Sequence, residues 1–315
     1  MGGFHRYLAP SLLALVLAVT GVALHRDYGL PWDEPIQRAY ARLVLRYATR
    51  GDERLLTDPN RVYGPAHELA LLGAEAVSGA RDAPDVFAAR HLANFAVFAV
   101  GVVFFYRLAA LGFASRAAGL LAAAALVLCP PVFAHAFFNS KDIPFLAFFV
   151  ISAWTMLRFL HDPRPGTALR HALACGWLIA IRVMGILAPL LTLAGAVHVL
   201  LASGGAPSAR RRLGPCGALF LAATAVVSWA LWPTLWRDPV SRFAEALATM
   251  SRYPWEQKVL YRGALVPATD LPWHYVPVWI GITTPLLYLV GVPAGLASLV
   301  ARARRGADEP RFFAA

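Results

Sequence analysis

Charged residues are scarce in this 315-residue chain: Asp, Glu, Lys and Arg together make up 15% of it, against a hydrophobic share of 58%. Soluble domains carry about a quarter charged residues, so the deficit argues against the two water-soluble domains that the length would allow. Cysteine is nearly absent. Cys129, Cys175 and Cys216 stand alone in apolar segments without metal-ligand spacing, which leaves them as small core hydrophobes. The alternating pattern of a membrane β-barrel is missing too, as are internal repeats and low-complexity tracts. A formal charge of +11 raises nucleic acid as a partner, but no continuous basic stripe with interleaved aromatics accompanies it, and no nucleic-acid partner is expected.

What the chain does have is apolar runs of about 17–25 residues, the length that crosses a hydrocarbon core of about 30 Å. In lipid every backbone polar group needs an internal partner, so the runs are expected to be helices. They are Tyr7–Leu24, Val86–Tyr106, Ala117–Phe137, Ile143–Leu160, Ala172–Ile181 continuing into Val183–Leu201, Cys216–Trp232 and Val276–Val300. Arg182 and Gly185 mark a reversal between two spans. The expectation is an all-α polytopic bundle of about eight transmembrane helices forming a single domain over 1–315, with the first run a retained signal-anchor rather than a cleaved leader.

Arginines punctuate the ends of the runs. Arg107 and Arg116, then Arg158, Arg164 and Arg170, then Arg210–Arg212, then Arg302, Arg304 and Arg305 fall on one side of an eight-span chain, and that side is cytoplasmic by the positive-inside rule. The loops 25–85, 138–142 and 233–275 then face outward, to the periplasm in a bacterium. Within the first, Ile36, Tyr40, Leu43, Val44 and Tyr47 recur at helical spacing, with Arg38, Arg42, Arg46 and Arg50 on another face; this predicts an amphipathic interfacial helix with Asp33 as its N-cap. Leu69–Val77 predicts a second.

The polar chemistry gathers in these outer loops. Asp33-Glu34 is read equally as helix capping or as a general base beside a membrane-facing cavity. Lys141-Asp142, within Asn139-Ser140-Lys141-Asp142-Ile143-Pro144, is a cap with a snorkelling lysine, or an ammonium for a phosphate beside a second carboxylate. Trp232, Trp236, Trp273 and Tyr275 suit an interface belt, while Arg237, Arg252, Lys258 and Arg262 suit an anionic lipid head group. Arg182, ionisable within apolar sequence, is a functional candidate by default. His67 and His135 lack paired ligand spacing and are expected to be structural.

In order, the acidic pair, Tyr63-Gly64-Pro65, Asn-Ser-Lys-Asp-Ile-Pro, Trp232-Pro233 with Leu235-Trp236-Arg237-Asp238-Pro239, and Leu271-Pro272-Trp273-His274-Tyr275 resemble the class C glycosyltransferase superfamily. The branch they look most like is that of bacterial protein-mannosyltransferase-like and aminoarabinose-transferase-like enzymes. The resemblance spans the first run to about residue 290. It implies a polyprenyl-phosphate-linked sugar donor in the bacterial inner membrane, transfer on the outer face with inversion, and an acceptor of unspecified kind: lipid, glycan or protein. By that resemblance Asp33 is the catalytic base with Glu34 its neighbour, and Asp142 matches the second acidic site. Lys141 meets the donor phosphate, with Arg182, Arg237 and Arg262 as further basic contacts. No cofactor is required, although a divalent cation can assist. Tyr63 is followed by Gly64-Pro65-Ala66 rather than the Lys-Pro-Pro of the lipid A enzymes, a departure from aminoarabinose transfer. Members also continue beyond the point where this chain stops at Phe312-Phe313-Ala314-Ala315, which raises the expectation of a truncated product. The rival readings are a transporter or flippase for lipid-linked intermediates, which predicts mid-membrane ionisable residues and repeat symmetry, and an inactive remnant.

Overall fold

The computed structural model describes residues 4–202, 207–253, 255 and 257–304. Arg305 and the chain end at Phe312–Ala315 lie outside them. The chain divides into two compact units, one up to Ala248 and one from Thr249.

The first unit is helical. Helix α1 (Phe4–Leu24) leads to α2 (Asp33–Arg50), two short 3₁₀ turns (Glu53–Thr57 and Pro59–Val62) and α3 (Ala66–Ser78). There follow α4 (Ala83–Gly112), α5 (Arg116–Val127), α6 (Pro130–Phe138), α7 (Asp142–His161), α8 (Pro165–Ile179), α9 (Leu187–Ala202), α10 (Pro207–Leu231) and α11 (Pro239–Ser251), the last of which crosses the unit boundary. Among the described residues four helical stretches are long and apolar enough to cross a membrane, or up to six if each bent pair counts as one span. This is an all-α membrane protein by architecture. All the predicted runs are helical, but the expected total of about eight spans exceeds those that meet the length criterion. α8, for example, has only 15 residues.

Two predicted spans are broken, for one local reason. α5 and α6 meet at 69°, where Cys129 is extended (ψ 107°) ahead of Pro130. The ring of a proline disfavours the helical region for the residue before it. In the second unit the run predicted as Val276–Val300 divides likewise into α12 (Tyr275–Thr283) and α13 (Leu286–Arg304), bent by 112° at Thr284 (ψ 128°) ahead of Pro285.

That unit also holds a short hairpin that the sequence reading did not foresee: β1 (Lys258–Tyr261) pairs antiparallel with β2 (Ala264–Pro267), with Tyr261 opposite Ala264. The turn residues Arg262 and Gly263 both have positive φ, 50° and 85°, the combination whose twist suits a two-residue hairpin. Tyr261 packs edge-on against His274 and Tyr275, which ties the Trp273-His274-Tyr275 motif to the hairpin.

Among the described residues, two of the apolar clusters join the membrane helices of the first unit. One joins Leu17 of α1 to Phe95, Phe98 and Val102 of α4, Ala123 of α5 and Phe137 of α6. The other packs α7 to α10 through Phe159, Ala172, Cys175, Leu178, Cys216 and Phe220, so two of the three cysteines are core hydrophobes; Cys129 is half-buried. Inside the second cluster His171 is fully buried. Hydrogen bonds join its ring to Thr155 Oγ1 of α7 (2.9 Å) and Thr192 Oγ1 of α9 (2.7 Å), while Phe220 of α10 stacks on it at 4.6 Å. One polar side chain thus sets the register of four helices.

The long first loop is folded as expected, with α2 and α3 near the predicted segments. α2 buries Gln37, Tyr40, Ala41, Leu43 and Val44 and exposes Arg42, Arg46 and Arg50. Its start differs from expectation: Trp32 occupies the N-cap position in a helical conformation, without a side-chain cap bond, and Asp33 is the first helical residue. The turn forms instead through the Glu34 amide donating to the Pro31 carbonyl (3.2 Å).

The reversal at Arg182 and Gly185 is real, and it docks onto this loop. A Cβ on Gly185 would stand 2.7 Å from the Ile179 nitrogen, and one on Gly64 would stand 2.1 Å from the Ala180 carbonyl oxygen. The Ala66 amide donates to that same carbonyl at 3.0 Å. Buried Trp232 completes the junction by donating its indole N–H to the Arg61 carbonyl (3.3 Å). Gly64→Ala should therefore cost about 1–3 kcal/mol of stability, the range for overpacking. Gly73→Ala, in an open position on α3, should be neutral or stabilising by up to about 1 kcal/mol. Thermal unfolding of the detergent-purified chain separates the two; an unchanged midpoint in Gly64→Ala would contradict the close approach.

Candidate active site

The site is built on Arg90. α4 is 30 residues long, about 45 Å at 1.5 Å per residue, so it overruns a hydrocarbon core of about 30 Å; its first turns can carry charge at the edge of the membrane. Arg90 has no exposed surface and is ringed by three carboxylates. It donates to Glu68 at 2.7 Å, to Glu75 at 2.9 Å and, through Nε, to Glu34 at 3.4 Å. Arg38 of α2 adds a bidentate pair to Glu75, Nε to one oxygen at 3.0 Å and Nη2 to the other at 2.9 Å, and His91 meets the other oxygen of Glu34 at 3.0 Å. The Ser140 hydroxyl donates to Glu68. Helices α2, α3 and α4 and the turn before α7 are thereby fastened at one buried point. Breaking a buried pair on one side leaves an uncompensated charge, at a typical cost of about 3–5 kcal/mol.

A second line of hydrogen bonds runs parallel to the first. His67 Nε2 meets Asn94 Oδ1 at 2.7 Å, and the Asn94 amide donates to the carbonyls of Ala136 (2.9 Å) and Asn139 (3.3 Å). Asn139 in turn caps α7: its Oδ1 accepts from the amides of Lys141 (3.2 Å) and Asp142 (2.8 Å). The cap at this helix start is Asn139, which leaves the Asp142 carboxylate exposed. That carboxylate accepts from Asn139 Nδ2 at 3.0 Å and pairs with Arg182 at 2.7 Å.

Four of the seven residues expected from sequence meet here. Lys141 is half-buried, with its ammonium 4.4 Å from the centre of the Tyr63 ring. Burial lowers its pKa, and the charges of Asp33 and Asp142 oppose that while Arg182 adds to it. Asp33, Lys141, Asp142 and Arg182 thus share one electrostatic neighbourhood, although they come from three separate parts of the sequence. Asp33 is exposed and accepts no hydrogen bond among the described residues, whereas Glu34 is buried and engaged by Arg90 and His91. The Arg182 Nε is buried and has no acceptor among the described residues.

Of the other two basic candidates, Arg237 stands apart from this group. Arg237 pairs with Glu53 at 2.7 Å, just past the end of α2 remote from Asp33, a helix of 18 residues or about 27 Å. Arg262 occupies the hairpin turn of the second unit. Among the described residues no three of His, Cys, Asp and Glu are arranged to hold a metal ion.

The residues that sequence reasoning missed are Arg90, His91 and Asn94, taken as part of an apolar run. Their signal was available: three polar side chains within about one turn of an apolar helix are expensive in lipid and mark a site or its support. His135, expected to be structural, meets the Asn139 amide at 3.0 Å.

The burial of His67 has a measurable consequence. Burial pushes its ring pKa from an ordinary 6.5 to about 4, with Arg90 adding to the effect against Glu68 and the Asn94 bond. The unfolded chain takes up a proton near pH 6.5 that the folded chain refuses until about pH 4. This contribution to stability is complete above pH 6.5 and is lost as pH falls toward 4, about 3 kcal/mol in all. His67→Gln should flatten the slope of stability against pH across this window; a variant with the parent's slope would remove His67 as its source.

Residues 85–232 match the family model described as dolichyl-phosphate-mannose-protein mannosyltransferase. No curated protein and no solved structure matches the chain. The matched stretch is a little under half the chain and runs through α4 to α10, so it includes Arg90, Lys141, Asp142 and Arg182 and begins after Asp33 and Tyr63. Over that stretch the chain is similar to a family of membrane glycosyltransferases that draw their sugar from a polyprenyl-phosphate carrier.

Proposed function

We propose that this chain transfers a sugar from a polyprenyl-phosphate donor to an acceptor at the outer, periplasmic face of a bacterial inner membrane, with inversion at the anomeric carbon. The observation that carries the reading is the convergence of Asp33, Lys141, Asp142 and Arg182 at one end of the bundle. There the prenyl chain stays in lipid while its phosphate reaches the Lys141 ammonium and the unsatisfied Arg182 Nε. The sidedness rests on Arg107, Arg158 and Arg170, which gather at the other end, as the positive-inside rule requires of the cytoplasmic side.

The chemistry asked of the protein is modest, because a prenyl phosphate is already a leaving group. An acceptor hydroxyl or amine attacks the anomeric carbon from the face opposite the phosphate. Its proton passes to Asp33, the bond from the anomeric carbon to the phosphate oxygen breaks, and prenyl phosphate departs with its charge held by Lys141 and Arg182. Asp142 fixes Arg182, and Glu34 anchors the first turn of α2 to Arg90 so that Asp33 is aimed outward. Arg237, held by Glu53, has no part in this scheme.

Asp33→Asn tests it. The side chain makes no cap bond, so expression and donor binding should be retained, while loss of the base lowers turnover by about 10²–10⁴-fold. Release of prenyl phosphate from a labelled lipid-linked sugar, in membranes matched for protein level, is the measurement; near-normal turnover would dismiss Asp33. Lys141→Ala should weaken donor use by about ten- to a hundred-fold, the worth of a charged hydrogen bond, with Lys141→Arg milder. Equal and negligible effects of the two would return Lys141 to a snorkelling role.

A further inference from the structure

The end of the bundle remote from Asp33 and Lys141 is more than a topology signal. From Arg90 to Arg107 along α4, and from Asp142 to Arg158 along α7, is about 25 Å at 1.5 Å per residue, close to the thickness of the hydrocarbon core. Here two cavities of about 650 and 960 Å³ adjoin. Both are lined by Arg107 of α4, Trp154 and Arg158 of α7, and Arg170 of α8. Arg164 and Arg116 extend the lining of one cavity each.

The charge is unbalanced. The one carboxylate in either lining is Asp162, and it is taken by Arg164. Arg107 and Arg158 pair with no carboxylate among the described residues; Arg107 lies over the Phe104 ring at 5.7 Å. Arg170 uses its Nε on the Gly166 carbonyl (3.1 Å), which fixes the stem and leaves the rest of the guanidinium to the cavity. Three helices therefore aim guanidinium groups into a shared space walled on one side by an indole. Positive-inside bias needs arginines at the membrane edge; it does not need them to converge from three helices around a cavity.

We infer that this end of the bundle binds the phosphodiester headgroup of an anionic phospholipid, with Arg107, Arg158 and Arg170 as the phosphate ligands. Guanidinium groups match phosphate oxygens bidentately, and basic pockets between membrane helices are suited to such headgroups. Trp154 offers an amphipathic ring at the level where headgroup gives way to acyl chain.

Native mass spectrometry of the full chain in neutral detergent can count lipid adducts as phosphatidylglycerol, phosphatidylcholine or inorganic phosphate is added. The expected result is saturable binding of phosphatidylglycerol, at least ten-fold tighter than phosphatidylcholine, with no competition from inorganic phosphate at matched concentration. Arg158→Gln and Arg170→Gln alter exposed side chains and should each raise the half-saturating lipid concentration about ten-fold. Arg212→Gln, an exposed arginine on α10 outside both cavities, should leave it unchanged. Equal binding of the two lipids, full competition by inorganic phosphate, or an equal effect of Arg212→Gln and Arg158→Gln would each overturn the assignment.

Discussion

Arg90 is the constraint on which the polar half of this protein depends. A guanidinium with no exposed surface is tolerable only because Glu34, Glu68 and Glu75 surround it, and they come from two different helices that precede α4. The same carboxylates would repel one another without the arginine. The cluster thus works in both directions: it forces α2 and α3 onto α4, and it permits an acidic loop segment to be buried. Because Ser140 joins through Glu68, the turn before α7 is held to the same point. The positions of Asp33 and Lys141 follow from it, one residue away from Glu34 and one from Ser140.

Much of this was legible in the sequence, for reasons that differ by element. Apolar run length identified the membrane helices, since lipid leaves the backbone no alternative to internal hydrogen bonding. The period of Tyr40, Leu43, Val44 and Tyr47 identified α2, and Arg182 with Gly185 marked the α8–α9 reversal, where backbone closeness leaves no room for a side chain. What escaped was what local sequence does not encode. The kinks ahead of Pro130 and Pro285 fall inside runs whose mean apolarity hides one extended residue. The hairpin at 258–267 is too short for a clear alternation, and its turn places Arg262 where Asn or Gly is usual. The carboxylate cluster around Arg90 bonds residues up to 72 positions apart, Glu68 to Ser140, which no window along the chain can see.

The same limit explains the uneven outcome for the site. Asp33, Lys141 and Asp142 were chosen for standing in outer loops and Arg182 for being ionisable within apolar sequence, and they meet because helices α7 and α8 bring their ends to a common edge. Arg237 shared the loop criterion but is claimed by Glu53. The acidic pair divides in function because consecutive helical residues point about 100° apart: Glu34 turns inward to Arg90 and Asp33 outward.

The quartet itself has a property that bears on how a substrate would arrive. Two carboxylates and two cations sum to no net charge, so the cluster projects little field into the surrounding water, and attraction fades within a few ångströms. A freely dissolved anion would gain no long-range guidance from it. A lipid-borne donor needs none, because its tail confines it to the membrane plane and brings its phosphate to the depth of Lys141 by lateral diffusion alone. On the proposed function, encounter is set by a two-dimensional search in the membrane, and its rate by lipid mobility rather than ionic strength.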